Sequence, residues 1–430
     1  MIQKISTLAL ALLLTNVCLA QQKYTISGYI KEASSGETLL GASVFVRELS
    51  QGTVTNEYGF YSLALPAGQY TLEYSYVGYE TLTNNLSLNR NLNLDVELPE
   101  QKAELAEIVI SAERENENVS SLEMSVNKLD IQTIQKMPAL LGEVDLIKSV
   151  QFLPGISTVG EGAPGYTARG GSIDQNLVLL DEAPVYNSSH LFGFFSVFNP
   201  DAVKDVKLIK GGIPAQYGGR LSSILDVRMK EGNSKHFTAS GGVGLIFSRL
   251  TLEAPIVRDK ASFIVAGRRS YLDVIARPFL NDDLKNSVFN FYDLTLKTNF
   301  NINPKNQVFL SGYFGRDKFG TENTFDSSWG NATATLRWNR IINSRLFSKL
   351  TIFYSNYDYA LGFGEENDSF DWESSIINYS IKPELNFYLN PNNSLVFGGQ
   401  AIFYDFDPGN AVGVSAGEVS DISLDRQYGL

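Results

Sequence analysis

The sequence predicts a mainly β protein in three parts: an N-terminal β-sandwich, a small α/β domain, and an incomplete antiparallel transmembrane β-barrel. Three observations predict it. From about Phe237 to Tyr404 apolar residues recur at every second position, the period of a strand with unlike faces. Between residues 22 and 98, short β-prone runs are separated by Gly and Asn turn signals. Between residues 121 and 232 the pattern breaks into short mixed segments with many glycines.

The segment from Ile377 to Leu389 shows the alternation most clearly. Ile377, Tyr379, Ile381, Leu385, Phe387 and Leu389 share one face, and Asn378, Ser380, Lys382, Glu384 and Asn386 share the other. Tight turns are expected at residues 257–260, 303–306, 342–345 and 390–393, and longer polar loops at 321–330 and 362–374. Short turns at one rim, long loops at the other and aromatic residues near strand ends are features of outer-membrane barrels, whose apolar face meets lipid. A soluble sandwich is the competing reading. Runs of ten or more alternating residues exceed ordinary sandwich strands and match the length a tilted strand needs to cross a bilayer.

The first residues read as a cleavable export signal, residues 1–20. Lys4 supplies positive charge, Leu8–Leu14 is a short apolar core, and Cys18-Leu19-Ala20 places small residues before Gln21. Thr15-Asn16-Val17 fits poorly before a lipid-modified Cys18. Cleavage after Ala20 removes the single cysteine, so neither disulfide nor thiol chemistry is expected in the mature chain. The net charge of −12 argues against a nucleic-acid partner.

Residues 22–98 are expected to form the sandwich, with about seven strands. Asn56-Glu57-Tyr58-Gly59 reads as a turn with Gly59 at positive φ, and Leu72, Tyr74 and Tyr76 line one strand face. Residues 99–120 are charged and low in glycine, a linker interrupted by the β-branched run Glu107-Ile108-Val109-Ile110-Ser111-Ala112. An edge strand of a neighbouring domain and a strand offered to a partner by β-augmentation both fit that run. In residues 121–232, helices are expected at 131–137 and 141–150 and strands at 176–181 and 203–209. None of the glycine clusters has the spacing of a phosphate-binding loop. With only His190 and His236 and no hydrolase motif, no enzyme activity, metal or cofactor is expected.

Several motifs in order carry a resemblance to the TonB-dependent outer-membrane receptors of the Bacteroidetes type. Thr167-Ala168-Arg169-Gly170-Gly171 resembles the family's Arg-Gly-Gly turn. Val178 to Tyr186 is similar to its "LDG-x-P-V-Y" strand, with Glu182 in place of the usual Gly. Asp205 to Gly212 resembles "I-x-V-x-K-G", and Pro214 to Arg220 resembles "P-A-x-Y-G-G-R". Residues 26–30, 40–44, 58–61 and 77–79 resemble the carboxypeptidase regulatory-like domain, which brings no peptidase machinery.

The resemblance implies an energy-coupled importer of a scarce ligand, such as a chelated metal, glycan or peptide, in the Gram-negative outer membrane with its N-terminal domain in the periplasm. Residues 121–232 would be the plug. Glu107, Ile108, Val109, Ile110, Ser111 and Ala112 would be the TonB box, paired with the periplasmic domain of TonB. A surface lipoprotein is a further expected partner. The alternatives are a ligand-binding or signalling receptor without transport, or a non-transporting fragment. Family barrels have about 22 strands and a plugged lumen. About nine are expected here from residue 237 to 406, so the sequence reads as truncated.

Tyr186, Asn187 and His190, at the expected apex of the plug, are the candidate ligand contacts, with Phe192, Phe194 and Phe195 expected to pack as core. Arg169, Gly170 and Gly171 are expected to be structural. Arg169 would lock the plug by pairing with lumen carboxylates such as Asp293 and Glu384.

Overall fold

The structure, a computed structural model, describes residues 23–101, 125–131, 134, 136–137, 144–158, 160, 165–281, 285–321, 324–365, 368–391, 393–415 and 418–430. The expected export signal and the run Glu107–Ala112 lie outside the described residues. The molecule divides into two compact units. One comprises residues 1–104 with 341–348 and 385–397, and the other comprises 105–340, 349–384 and 398–430.

In the first unit, eight strands form two four-stranded sheets. They are β1 (Lys23–Glu32), β2 (Ser43–Val46), β3 (Gln51–Val54), β4 (Phe60–Pro66), β5 (Gly68–Ser75), β6 (Leu82–Leu88), β7 (Leu92–Asn93) and β8 (Val96–Leu98). One sheet is ordered β4-β1-β7 with β8 also paired to β1, and the other β3-β2-β5-β6. Alternate residues of both sheets meet in one core that includes Ile26, Ile30, Val44, Leu63, Leu65, Leu72 and Tyr74. Gly59 has φ +76 and closes the turn expected there, its N–H donating to the Asn56 carbonyl at 3.0 Å.

The second unit contains an α/β domain and most of a large antiparallel sheet. The α/β domain has β9 (Val126–Asp130), α1 (Leu146–Gln151), β10 (Ile156–Ser157), β11 (Thr167–Ala168), β12 (Asn176–Leu180), β13 (Ala183–Pro184), β14 (Ser189–His190), β15 (Phe195–Ser196), β16 (Val203–Ile209) and β17 (Ser223–Met229). Its central sheet runs β13-β12-β17-β16-β9, with β12 and β17 parallel. Helix α1 is capped by the Asp145 carboxylate, which accepts from the Lys148 N–H at 2.9 Å, and residues 141–143 of the expected helix lie outside the described residues. Strands β9 and β17 were not among the expected strands, although Leu225, Val227 and Met229 of β17 alternate with Asp226 and Arg228. The β17 residues are all buried, as in a central strand covered on both faces.

The large sheet has twelve strands, β18 (Thr238–Val243), β19 (Phe247–Val257), β20 (Ala261–Ser270), β21 (Val288–Asn303), β22 (Asn306–Thr321), β23 (Phe325–Asn343), β24 (Leu346–Glu365), β25 (Asp368–Asn390), β26 (Asn393–Gly398), β27 (Ala401–Ser415), β28 (Glu418–Ser423) and β29 (Gln427–Gly429). The path runs from β18 to β28 in sequence order, with β26 paired to β25 and β29 to β27. Twelve exceeds the expected nine because β26 and β27 are separate and two short strands follow Phe406. The four tight turns fall where expected. The expected long loops do not: β22 continues to Thr321, β23 restarts at Phe325, β24 reaches Glu365 and β25 restarts at Asp368. Polar composition suggested loops there, but cross-strand pairs such as Phe319 with Ser327 extend the ladder instead. The long connection among these strands is the one between β20 and β21, which holds helix α2 (Leu272–Ala276).

The period-two pattern gives this sheet two chemically different faces. On β22, Val308, Leu310, Gly312 and Phe314 occupy one face, and Gln307, Phe309, Ser311, Tyr313 and Asp317 are buried on the other. Leu294 and Leu296 on β21, Leu336 and Trp338 on β23, Ile352 on β24, and Tyr379 and Ile381 on β25 continue the exposed apolar face. Beyond it Arg316 makes a two-pronged ion pair with Asp358, at 2.6 and 2.9 Å. The buried face is polar: Asp293, Thr295, Lys297, Asn299, Thr333, Thr335, Arg337, Asn339, Lys349 and Thr351 are all buried, and Lys297, Arg337, Lys349 and Thr351 reach the α/β domain. An apolar band outside and a polar face inside is the pattern of a strand wall between lipid and a filled lumen.

Candidate functional site

Two buried ionic clamps tie the α/β domain to this polar wall. The first is built on the two-residue turn between β12 and β13. Leu180 pairs with Ala183, so Asp181 and Glu182 are the central residues, at φ +46 and φ +74. A turn with both φ values positive favours Asn-Gly or Asp-Gly, so a glutamate at the second position carries backbone strain. Its side chain explains how it is tolerated. The Glu182 carboxylate lies 3.4 Å from Lys349 Nζ, 3.5 Å from Lys382 Nζ and 4.0 Å from Arg337 Nη1, and accepts from Thr351 Oγ1 at 3.2 Å. Asp181 lies 3.0 Å from Lys297 Nζ, which also donates to the Met229 carbonyl at 2.8 Å. Burial alone would raise the Glu182 pKa, but Lys349, Lys382, Arg337 and Arg228 outweigh it and hold it down at about 2.

The second clamp reverses the charges. Here the α/β domain supplies the cation, His190, which is 1% exposed. Its Nδ1 faces Asp317 Oδ2 at 2.6 Å, its Nε2 faces Asp293 Oδ2 at 3.2 Å, and its ring stacks on Phe291 with centroids 4.3 Å apart. Burial would lower the His190 pKa, but the charges and hydrogen bonds of Asp317 and Asp293 raise it overall. Arg268 completes the clamp, donating to Asp293 Oδ2 through Nε at 2.9 Å and Nη2 at 2.6 Å, and to the Ser196 carbonyl at 2.9 Å. Backbone strain is again present: Leu191 and Phe192 have φ +48 and +56, and the Leu191 N–H donates to Asp317 Oδ1 at 2.8 Å. A histidine beside two aspartates resembles a metal-ligand set. Both ring nitrogens face carboxylates, however, and the two aspartates favour the doubly protonated ring, which offers no lone pair to a metal.

Between the clamps, residues 186–187 are tied to the wall by amides. Asn331 Oδ1 accepts from the Tyr186 and Asn187 N–H groups at 3.2 and 3.5 Å, and its Nδ2 donates to the Asn187 carbonyl at 2.7 Å. Asn378 Nδ2 donates to the Tyr186 hydroxyl at 2.6 Å. A cavity of about 360 Å³ opens beside Tyr186, lined also by Tyr166, Asp174, Asn176, Pro184 and Arg220.

Comparison with known proteins accounts for this arrangement. The family model of the TonB-dependent Receptor Plug Domain matches residues 118–223, and that of the CarboxypepD_reg-like domain matches residues 26–110. This chain carries the plug of a TonB-dependent receptor. TonB-dependent receptor P39 of Formosa agariphila is 24% identical over 212 residues, covering 46% of this chain and 19% of its own length. TonB-dependent receptor P3 of the same organism is 28% identical over 105 residues, 24% of this chain and 10% of its own length. Among solved structures, the copper transporter OprC superposes with a TM-score of 0.53 at 11% identity, over 72% of this chain and 50% of that one. A mutant of the ferric enterobactin receptor PfeA from Pseudomonas aeruginosa gives 0.51 at 14% identity, over 69% and 51%. At that identity the likeness establishes the fold: a receptor plug against barrel strands. The chain spans about half of these solved chains and less than a fifth of the curated relatives.

The plug residues singled out from the sequence are not gathered into one site. Tyr186 lines the cavity, Asn187 is held by Asn331, and His190 is enclosed by the second clamp. The phenylalanines divide: Phe195 is buried, while Phe192 and Phe194 are about half exposed at 45% and 49%. Phe192 packs among Phe319 and Trp329, both at 4.9 Å between centroids. The expectation therefore holds for Phe195 and fails for Phe192, Phe194 and His190, the last being buried because two wall carboxylates compensate it.

Arg169 also differs from expectation. It is exposed, has φ +50 and donates through Nη2 to Ser125 Oγ within the plug at 2.8 Å. Among the described residues it makes no ion pair, and the carboxylates proposed for it are engaged elsewhere, Asp293 by Arg268 and His190 and Glu384 by Lys349 at 3.2 Å. Gly170 has φ +79, and a Cβ on Gly171 would lie 2.4 Å from Ser222 Oγ, so that turn accepts no larger residue without movement. The locking residues missed in the sequence are Asp181, Glu182 and Arg268. The sign that pointed to the first pair was Glu182 itself, standing where the motif has glycine.

Proposed function

We propose that this chain is part of a TonB-dependent outer-membrane transporter that imports a scarce ligand by remodelling its plug. The observation that carries the reading is the pair of ionic clamps: the plug is fixed to the polar face of a wall whose other face is apolar, through charges that can be exchanged, beside small apolar clusters such as Leu191 and Phe195 with Phe247 and Phe291. In this reading the linker run Glu107-Ile108-Val109-Ile110-Ser111-Ala112 is the TonB box. It adds a strand to the periplasmic domain of TonB, and force on that strand releases the clamps. Tyr186 and Asn187, with the exposed Phe192 and Phe194, are the plug surface offered to ligand, while Gly170 and Gly171 hold the plug turn. The N-terminal sandwich lies in the periplasm.

The test is energised uptake in cells carrying the full-length receptor, with and without Val109→Pro. Proline removes a backbone donor from the pairing strand. Loss of uptake and of binding to the periplasmic domain of TonB, with unchanged receptor abundance, is expected. Uptake that survives both this variant and collapse of the proton gradient would rule the reading out.

A further inference from the structure

Four cations on four of the five strands from β21 to β25 converge on one plug turn: Lys297 on β21, Arg337 on β23, Lys349 on β24 and Lys382 on β25. All are on the lumen parity of their strands and nearly buried, at 2–9% exposure. Within the cluster they face three carboxylates, Asp181 and Glu182 of the plug and Glu384 of the wall. When the plug turn withdraws, Lys297 loses Asp181, while Arg337, Lys349 and Lys382 lose Glu182. Grouped cations in a poorly hydrated wall are costly unless an anion faces them.

We propose that these four side chains form an anion track, and that the receptor's cargo carries carboxylate or phosphate groups which take the places of Asp181 and Glu182 when the plug turn withdraws. The proposal rests on the transport reading above and adds the class of ligand. The turn itself supports it. A glutamate at φ +74 is held in place by its cations and not by backbone preference. Its seat is thus a site for a carboxylate that the chain fills from within. Thr351 Oγ1 and the two lysine ammoniums around Glu182 supply the donors that any carboxylate or phosphate oxygen needs. A neutral or cationic cargo passing the same wall would not replace the two carboxylates that the turn withdraws.

The test uses the full-length receptor with Asp181→Asn and Glu182→Gly combined. Asn-Gly is well suited to this turn, so the hairpin is retained while both plug carboxylates are removed. Sodium propionate, which has the shape of the missing glutamate side chain, and inorganic phosphate are titrated separately against sodium chloride of equal ionic strength. Plug thermal stability is the readout. The double variant is expected to bind one or both probes about tenfold more tightly than the unaltered receptor, the effect of recovering a single strong ionic contact. Adding Lys349→Gln and Lys382→Gln should abolish the gain. Which probe acts tells a carboxylate cargo from a phosphate one. If neither acts differently from chloride, in this variant or in the milder Glu182→Ala, there is no anion track. Anion binding needs no TonB, so loss of the track with energised uptake intact removes this inference alone, and binding without energised uptake removes the transport reading alone.

Discussion

The two clamps solve the same problem with opposite charges. At the β12–β13 turn the plug supplies two carboxylates and the wall supplies lysines and an arginine; at the apex the plug supplies a histidine and the wall supplies aspartates. Each clamp includes two adjacent non-glycine residues at positive φ, Asp181 with Glu182 and Leu191 with Phe192. In both places strained backbone is held by buried charge. The clamps differ in redundancy. Glu182 has three cations within 4.0 Å, so each shares the burden. Asp293 depends on Arg268 and the imidazole alone among the ion pairs described.

The largest effect should therefore come from the less redundant clamp. Arg268→Ala removes both donors to Asp293 Oδ2 and the bond to the Ser196 carbonyl. Removing one partner of a buried ion pair costs up to about 3–5 kcal/mol, and Asp293 then keeps only the His190 ring among the ion pairs described. In the full-length receptor this should free the plug enough to admit antibiotics normally excluded by size. An unchanged barrier would show that Arg268 is not the keystone of the apex.

Glu182 separates charge from strain. Glu182→Ala leaves three cations facing an apolar methyl and keeps the positive φ, while Glu182→Gly loses the same charge but relieves the backbone. The alanine variant should be the less stable of the two by about 1 kcal/mol, the cost of the left-handed conformation. Equal plug melting temperatures for the two would mean that the turn is not strained.

The opposite charges also predict opposite pH limits. The Glu182 pKa is lowered in the folded plug from 4.5 to about 2, so its contribution is complete above 4.5 and is lost as pH falls through about 2. The His190 pKa is raised from 6.5, so its contribution is complete below 6.5 and is lost as pH rises through the folded value. The groups facing that ring are Asp317, Asp293 and the Tyr313 hydroxyl, with Arg268 behind Asp293. Plug stability measured against pH should lose its alkaline decline in His190→Gln and part of its acid decline in Glu182→Gln. If His190→Gln instead alters the acid side, the ring is neutral in the folded plug.

Much of the wall was legible because it depends on parity. The alternation over Ile377–Lys382 places Asn378, Ser380 and Lys382 on the buried side, as the structure does. The same parity places Asp293 and Lys297 on one face of β21. It cannot tell which plug residue each will meet, since Lys297 lies 116 residues from Asp181 and Thr351 lies 169 from Glu182. Glu182 was visible as a departure from the motif, but its partners are set by the stagger of three strands. His190 looked like a ligand contact because a lone histidine among phenylalanines has no local partner; Asp317, 127 residues later, supplies it. The polar strand ends near residues 321–330 misled for a related reason: above an apolar band, a strand needs no apolar residues to keep pairing.

The smallest effect sharpens the comparison most. Lys382→Gln removes one of three cations from Glu182 while Lys349, Arg337 and the Thr351 hydroxyl remain. Lys382 also sits over the Tyr217 ring, at 5.4 Å from its centroid, a contact the shorter glutamine gives up. With the carboxylate still partnered, the loss should be that of an ordinary charged hydrogen bond, about 1.5 kcal/mol or less. That is well under half the upper value expected for Arg268→Ala. A thermal comparison of the two variants in one detergent measures the ratio directly. Equal losses would mean that the three cations act as one indivisible unit, so that the turn clamp has no redundancy and the two clamps differ only in the sign of their charge.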